Sequence, residues 1–330
     1  MCQSTKVVQS LLSQVGYSAG HVKNVHVVQS LWAGYGSLYA CSAANGDRLI
    51  VKHFTPPAHR RVEDDSEDHK RKLRSYDVER VFYEALSQRL LDAGCIVPSC
   101  VGCIKDDDGS IAIVMRDLGA QYGKYDVRRG NSLSIEEGKR LLSYLARWHS
   151  IFWLEQQLPE GLWDEGCFWQ LGTRLDELQY LDRSWRRWGL DRDMAMKIHN
   201  QVRHLPHRCL VHGDAKAANF FFFEGQVGGY DLQYTGGGSP MRDIAYTLGC
   251  SMQEHLIVAH EEALLRHYHD ELTSLLSPEH AADFSFETMK EAYDLCVTDL
   301  VRFMCGSRWW GNECYLETKA KAWLENQASR

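Results

Sequence analysis

The segment from Cys209 to Gln233 constrains this chain more than any other. An apolar run, Cys209-Leu210-Val211, leads into a polar stretch, His212-Gly213-Asp214-Ala215-Lys216-Ala217-Ala218-Asn219. A second apolar run, Phe220 to Phe223, leaves it, and Gly228-Gly229-Tyr230 then delivers Asp231-Leu232-Gln233. Short apolar runs bounded by glycine and polar residues are the pattern of buried strands. The pattern therefore predicts a loop between strands with a second acid beside it. Asp214, Lys216, Asn219 and Asp231 suit phosphoryl transfer, which needs positioning and charge neutralisation more than covalent help. Asp214 is placed to orient or deprotonate an attacking hydroxyl. Asn219 and Asp231 are hard oxygen ligands of the kind Mg2+ accepts while keeping waters and phosphate oxygens in its shell. Lys216 can reach the transferring phosphate. The plain alternative is a solvated turn with a surface Asp–Lys pair.

These residues also carry a resemblance. His-Gly-Asp-x-Lys-x-x-Asn followed by an aspartate resembles the catalytic loop and metal-binding aspartate of the protein-kinase-like fold. His212-Gly213-Asp214, where protein kinases have His-Arg-Asp, is similar to the aminoglycoside phosphotransferase and choline kinase branch. Asp231-Leu232-Gln233, where protein kinases have Asp-Phe-Gly, and Gly238-Ser239-Pro240-Met241-Arg242-Asp243-Ile244-Ala245-Tyr246 are most similar to the ecdysteroid kinase-like subgroup. The resemblance implies an α+β, two-lobed fold with ATP between the lobes. A small β-rich N-lobe over residues 1–117 would precede a larger, mainly helical C-lobe over 118–330. It also implies that Asp243 braces the catalytic loop.

Composition narrows the class. A chain of 330 residues, 44% hydrophobic and 25% charged, can bury a sizeable core as an ordinary globular protein. No apolar run is long enough to span a bilayer, and Met1-Cys2-Gln3-Ser4 lacks a basic segment leading into an apolar one. The expectation is a cytoplasmic protein with no membrane partner. The net charge of −7 argues against a general nucleic-acid surface. Eleven scattered cysteines do not form a disulfide frame and are expected to be reduced thiols. Cys100-x-x-Cys103 lacks a second ligand pair at zinc spacing, so apolar packing around a strand is its expected role.

Ahead of the central segment, Val8, Leu11, Leu12 and Val15 mark an amphipathic opening helix. Val25 to Ala44 is β-like and interrupted by Trp32-Ala33-Gly34-Tyr35-Gly36-Ser37, where glycine permits close approach of backbone amides to phosphates. Arg48 to Phe54 is a strand with one embedded lysine, Lys52, which needs a carboxylate or phosphate partner if buried. Thr55 to Ser75, dense in mixed charge, is expected to be a solvated connection. Tyr76 to Leu91 is expected to be a helix. The resemblance makes Glu79 the partner of Lys52, but helical phase alone leaves Glu84 as a rival. Strands are expected over Ile96–Ile104 and Ile111–Met115, joined by a turn at Asp106-Asp107-Asp108-Gly109. Val114 to Gly119 resembles the family's hinge, where backbone groups usually meet adenine, which implies Met115 and Asp117 as nucleotide-binding residues. Arg116 stands where the family commonly has an acid.

Beyond the hinge, Ser134-Ile135-Glu136-Glu137 is a capping box opening a long core helix through Leu141, Leu145, Trp148 and Phe152. His149 is expected to be a satisfied core histidine. Leu154 to Leu205 is expected to hold helical segments rich in Trp and Arg, and the tryptophans are individually better suited to core than to a cation box. Leu248 to Trp323 is expected to be helical, with His255, His260, His267 and His269 too dispersed in phase for a metal site. Arg308-Trp309-Trp310-Gly311 either lines an acceptor cleft or closes the core.

The sequence thus points to an ATP-dependent phosphotransferase acting on a hydroxyl of a small molecule. Asp214 would be the base and Lys216 would stabilise the transferred group. Asn219 and Asp231 would bind Mg2+, and Gly34, Gly36, Ser37, Lys52 and Glu79 would serve the ATP phosphates. A non-catalytic nucleotide-binding scaffold and a protein kinase are the alternatives. No Ala-Pro-Glu segment follows Asp231, and Gly236-Gly237-Gly238-Ser239-Pro240 leaves little room for an activation loop.

Overall fold

In the computed structural model, alternation of apolar and polar residues builds one antiparallel sheet in the first part of the chain. Residues 3–18, 22–56, 66–181 and 183–328 are described. The chain divides into two compact units, Met1–Tyr125 and Asp126–Arg330.

In the first unit, β1 (Lys23–Ser30), β2 (Gly36–Ser42), β3 (Arg48–Phe54), β4 (Cys100–Lys105) and β5 (Ile111–Arg116) form a five-stranded sheet in the order β1-β2-β3-β5-β4. All pairings are antiparallel, and Lys52 on β3 sits opposite Leu38 and Ile113. The opening helix α1 (Gln3–Gln14) buries Val8, Leu11 and Leu12 against Leu49, Val51, Ala112 and Val114. That is the apolar stripe the sequence marks, laid on the odd-numbered residues of β3.

The charged run between β3 and β4 differs from expectation. Residues 57–65 lie outside the described residues, but helix α2 runs over Glu67–Ala85, so Lys70, Arg71 and Lys72 are helical rather than part of a solvated connection. Ser66 caps the helix by accepting from the His69 amide at 3.2 Å, and Glu67 and Asp68 sit at its positive N-terminal end. Arg71 bonds Asp68 at 2.7 Å and Lys72 bonds the same carboxylate. Opposite charges three and four residues apart turn a seemingly disordered composition into a helix surface. The expected helix over Tyr76–Leu91 is therefore longer at its start, and it breaks at Leu86 before α3 (Ser87–Asp92). Strand β4 begins at Cys100 rather than Ile96 because Pro98 cannot donate to a ladder. A register irregularity between Cys100 and Gly102 puts both thiols on one face, half-buried and 3.7 Å apart. A short helix, α4 (Leu118–Tyr122), completes the unit.

The second unit is mainly helical. Ser134 and Glu137 form the capping box of α5 (Ile135–Ile151), with the Glu137 amide donating to Ser134 Oγ at 3.3 Å and the Ser134 amide donating to Glu137 Oε2 at 3.0 Å. Helices α6 (Arg192–Arg203), α7 (Met241–Ser251), α8 (Glu254–Leu275), α9 (Pro278–Asp283), α10 (Phe286–Gly306) and α11 (Glu313–Ala328) follow. Between α5 and α6 the chain makes 3-10 turns at Leu171–Thr173, Leu175–Tyr180 and Arg183–Trp188. Trp163, Trp169 and Trp185 are buried there. Strand β6 (Asp126–Val127) pairs with β8 (Phe220–Phe223), which pairs with β9 (Gln226–Gly229), while β7 (Cys209–Val211) pairs with β10 (Gly236–Gly238). His267 meets Ser143 Oγ at 2.9 Å and His269 meets the Phe284 carbonyl at 2.8 Å, so each is used singly. Among the described residues no helix is long and apolar enough to cross a membrane.

Candidate active site

The three residues of β7 are apolar and fully buried, which fixes where the polar loop after them begins. Gly213 turns that loop with φ of +81°, and a Cβ there would lie 2.0 Å from the Tyr234 carbonyl oxygen. Only glycine combines that dihedral with that approach. Asp243 holds the turn from below: its carboxylate accepts from the His212 amide at 2.7 Å, the Gly213 amide at 2.9 Å and His149 Nε2 at 3.1 Å. His149 is fully buried and its Nδ1 accepts from the Tyr268 hydroxyl at 2.8 Å, so both ring nitrogens are satisfied.

Helix α7 continues the bracing. All eleven of its residues are buried, so each polar side chain on it needs a partner. Asp243, Thr247 and Ser251 recur every four residues and therefore share one face. Thr247 Oγ1 donates to the Ala215 carbonyl at 2.8 Å, and Ser251 Oγ accepts from the Ala217 amide at 2.8 Å. Sequence reasoning singled out Asp243 and missed the other two. Their signal was available as a polar row inside an otherwise apolar helical stretch.

The loop gathers three of the residues picked out by sequence. Lys216 Nζ donates to Asp214 Oδ2 at 2.7 Å, and Asn219 Nδ2 donates to the same oxygen at 2.9 Å and to the Asp214 carbonyl at 2.8 Å. Asp214 Oδ1 is buried and has no hydrogen-bond partner. Burial pushes the Asp214 carboxyl above the usual carboxylate range, against the opposing charge of Lys216. Burial acts to lower the Lys216 ammonium, but the Asp214 carboxylate together with Asp231 outweighs it and holds the lysine above its ordinary value.

Tyr230 ties the fourth residue, Asp231, to this loop. Its amide donates to the Asn219 carbonyl at 3.0 Å and its hydroxyl to the Ala218 carbonyl at 2.7 Å. Its carbonyl accepts from His212 Nε2 at 3.2 Å, while His212 Nδ1 accepts from the Asp214 amide at 3.3 Å. These two bonds fix the neutral tautomer, and burial holds the imidazole below its usual range. Asp231 itself has φ of +64°, a left-handed conformation a non-glycine residue adopts at some cost.

The first unit contains a second group. Lys52 Nζ lies 2.6 Å from Glu79 Oε2 on α2, and both side chains are largely buried. Glu84 instead bonds Arg80 on the helix surface, so the two candidate carboxylates are separated by burial, which helical phase could not supply. In the glycine-bearing turn, Gly36 has φ of +129° and a Cβ there would meet the His53 carbonyl oxygen at 2.1 Å. Gly34 has φ of +77° and ends a 3-10 turn that starts at Trp32, and Ser37, second in β2, lies opposite Ser30 and His53. Met115 lies near the end of β5, paired with Ile50 and Cys100. Asp117 is used internally: its side chain accepts from the Ala120 amide at 2.8 Å and pairs with Arg48 at 2.9 Å. Arg116 points to Asp47 at 2.8 Å.

Comparison with known proteins bears on the fold. The model of the ecdysteroid kinase-like family matches residues 190–278, the stretch that contains the loop, Asp231 and Asp243. A choline kinase from Cryptosporidium parvum Iowa II is 10% identical and superposes with a TM-score of 0.54, covering 98% of this chain and 96% of that one. A microcompartment-associated aminopropanol kinase is 13% identical with a TM-score of 0.52, over 97% and 94% of the two chains. An amicoumacin kinase in complex with AMP-PNP, Ca2+ and Ami is 13% identical with a TM-score of 0.51, over 99% and 96%. No curated protein matches the sequence. The chain has the protein-kinase-like, two-lobed α+β fold.

Proposed function

We propose that this protein is a small-molecule kinase that moves the γ-phosphate of ATP to an acceptor hydroxyl. The observation that carries the reading is the asymmetry of Asp214. Oδ2 is held by Lys216 and Asn219, while Oδ1 is buried with no partner. A buried carboxylate oxygen without a partner is costly. An acceptor hydroxyl donating to Oδ1 would satisfy it, and the raised proton affinity of Asp214 suits a base that takes that proton as the new O–P bond forms.

The donor set beside it fits a hard divalent cation. Asn219 turns its amide nitrogen toward Asp214, which leaves its oxygen facing away, and Tyr230 fixes Asp231 to the same loop. Mg2+ held by Asn219 and Asp231 would neutralise charge on the phosphates when bound. Among the described residues no three His, Cys, Asp or Glu side chains form a cation cage, so phosphate and water oxygens would complete the shell. Lys216 would offset charge on the transferred group. Gly34, Gly36, Ser37 and Lys52 would hold the ATP phosphates, Glu79 would orient Lys52, and Met115 and Asp117 would mark the adenine end.

The test is a thermal-melt titration with ATP, with and without Mg2+, on wild type and Asp231→Ala. Nucleotide at about 100 times Kd adds roughly 2.7 kcal/mol of apparent stability. The shift should require Mg2+ in wild type and lose that requirement in the variant. Absence of any shift at millimolar nucleotide would contradict the reading.

A further inference from the structure

Strand β4 carries Cys100 and Cys103 three residues apart, and side chains at that spacing on a regular strand point to opposite faces. Here they do not. Cys100 stands opposite Met115 and Gly102 opposite Val114, so β4 holds one extra residue between them. Val101 and Ile104 pack with Val8, Leu11 and Leu12 of α1. Both thiols take the other face, where Cys103 Sγ lies 3.9 Å from the Arg80 carbonyl oxygen of α2. The two sulfurs are 3.7 Å apart and half-buried, whereas the other described cysteines are buried, apart from the exposed Cys314.

The pair is chemically asymmetric. The Cys103 thiol donates toward Cys100 and holds it below the ordinary thiol value, with burial opposing and the Gly102 amide assisting. The same contact, together with burial, pushes Cys103 up. The thiolate is the form that attacks a disulfide, so Cys100 is the nucleophile of the two. Among the described residues no three His, Cys, Asp or Glu side chains gather as metal ligands, so the pair lacks the ligand set of a structural zinc site. Strand β4 also lies at the edge of its sheet, and its ladder is interrupted between the two cysteines. The backbone that must draw in for a sulfur–sulfur bond of about 2.05 Å is therefore the least tied part of the strand.

We propose that Cys100 and Cys103 are a reversible thiol–disulfide site whose oxidant is a small disulfide of the glutathione class. The Cys100 thiolate attacks one sulfur of oxidised glutathione, which forms a mixed disulfide and releases one glutathione. Cys103 then gives up its proton and attacks the Cys100 sulfur, releasing the second glutathione. In all, the two thiols lose two protons and two electrons, and one oxidised glutathione becomes two reduced ones. Closure draws the Cys103 sulfur away from the Arg80 carbonyl, one residue along α2 from the Glu79 that holds Lys52. A bridge between residues three apart in extended backbone is strained, and strained disulfides are the readily reduced ones.

The test exposes the folded, full-length chain to oxidised glutathione, alkylates the thiols that remain and maps the tryptic peptides by mass. The peptide Leu90–Lys105 contains Cys95, Cys100 and Cys103. It should carry a single alkyl group, on Cys95, with two hydrogens missing and no glutathione retained, and dithiothreitol should restore all three alkylation sites. Cys103→Ser should instead trap glutathione on Cys100, because the resolving thiol is gone. In buffers of graded glutathione ratio, the bridge should be reduced at least about tenfold more readily in the folded protein than in the urea-unfolded chain. Three alkyl groups on the peptide after Cys314 has taken up glutathione, glutathione retained on Cys100 in wild type, or a bridge to Cys95 would overturn the site. Equal reducibility in the folded and unfolded chains would overturn the strained closure.

Discussion

As the proposed base, Asp214 must be ionised in a place that resists ionisation. Its carboxyl is raised by burial and by the neighbouring charge of Asp231, and Lys216 opposes both. His212 poses the reverse case. Its ring is held below the ordinary histidine range chiefly by burial, so the unfolded imidazole takes up a proton at a pH where the folded one does not. The linkage follows: this contribution is present above the unfolded value of about 6.5 and is lost as pH falls below it. Denaturant unfolding between pH 5 and pH 8 should show stability falling on the acid side, and His212→Gln should flatten that fall. An unchanged slope in the variant would remove His212 from the account. At this scale the sequence was informative where chemistry is carried by type and spacing, as with Asp214, Lys216 and Asn219. It was silent on the buried Arg174 and Arg302, because neither carries a mark of the distant carbonyl it will reach, that of Phe168 for the one and of Trp169 for the other.

Helix α7 is the element that makes the loop rigid. Its polar row of Asp243, Thr247 and Ser251 bonds four backbone groups of the loop, at His212, Gly213, Ala215 and Ala217, from one buried face. Thr247→Val and Ser251→Ala each leave a buried backbone group unpaired, which costs about 1–3 kcal/mol. Both should lower the unfolding free energy in urea by that order, and a change within experimental error would contradict the bracing role. Elements were legible in the sequence where apolar periodicity or a cap marks them, as with α5 and its Ser134–Glu137 box or α1 and its stripe. The start of α2 was not, because Lys70, Arg71 and Lys72 look solvated until Asp68 and Ser66 are seen to pair and cap them. Glu79 and Glu84 likewise differ by depth, which only packing defines.

Across the molecule, the two-lobed α+β fold was legible through the resemblance that a few polar residues carry, while the residues themselves marked only a loop between buried strands. The path from Leu154 to Leu205 was less so: its 3-10 turns and buried tryptophans depend on partners far away in sequence, such as the Arg302 that binds Trp169. The first unit carries the buried Lys52–Glu79 pair and the second the Asp214–Lys216–Asn219 group. The proposed chemistry turns on Asp214 as the base. The most direct measurement is the pH dependence of ADP release from ATP and Mg2+ across a set of alcohol acceptors, for wild type and Asp214→Asn. Wild type should lose rate as pH falls, with an apparent pKa above the ordinary aspartate value of about 3.9. Asp214→Asn should be slower by about 10²–10⁴-fold, the usual contribution of a positioned base, and should lack that acid limb. Equal rates, or the same acid limb in both proteins, would contradict it.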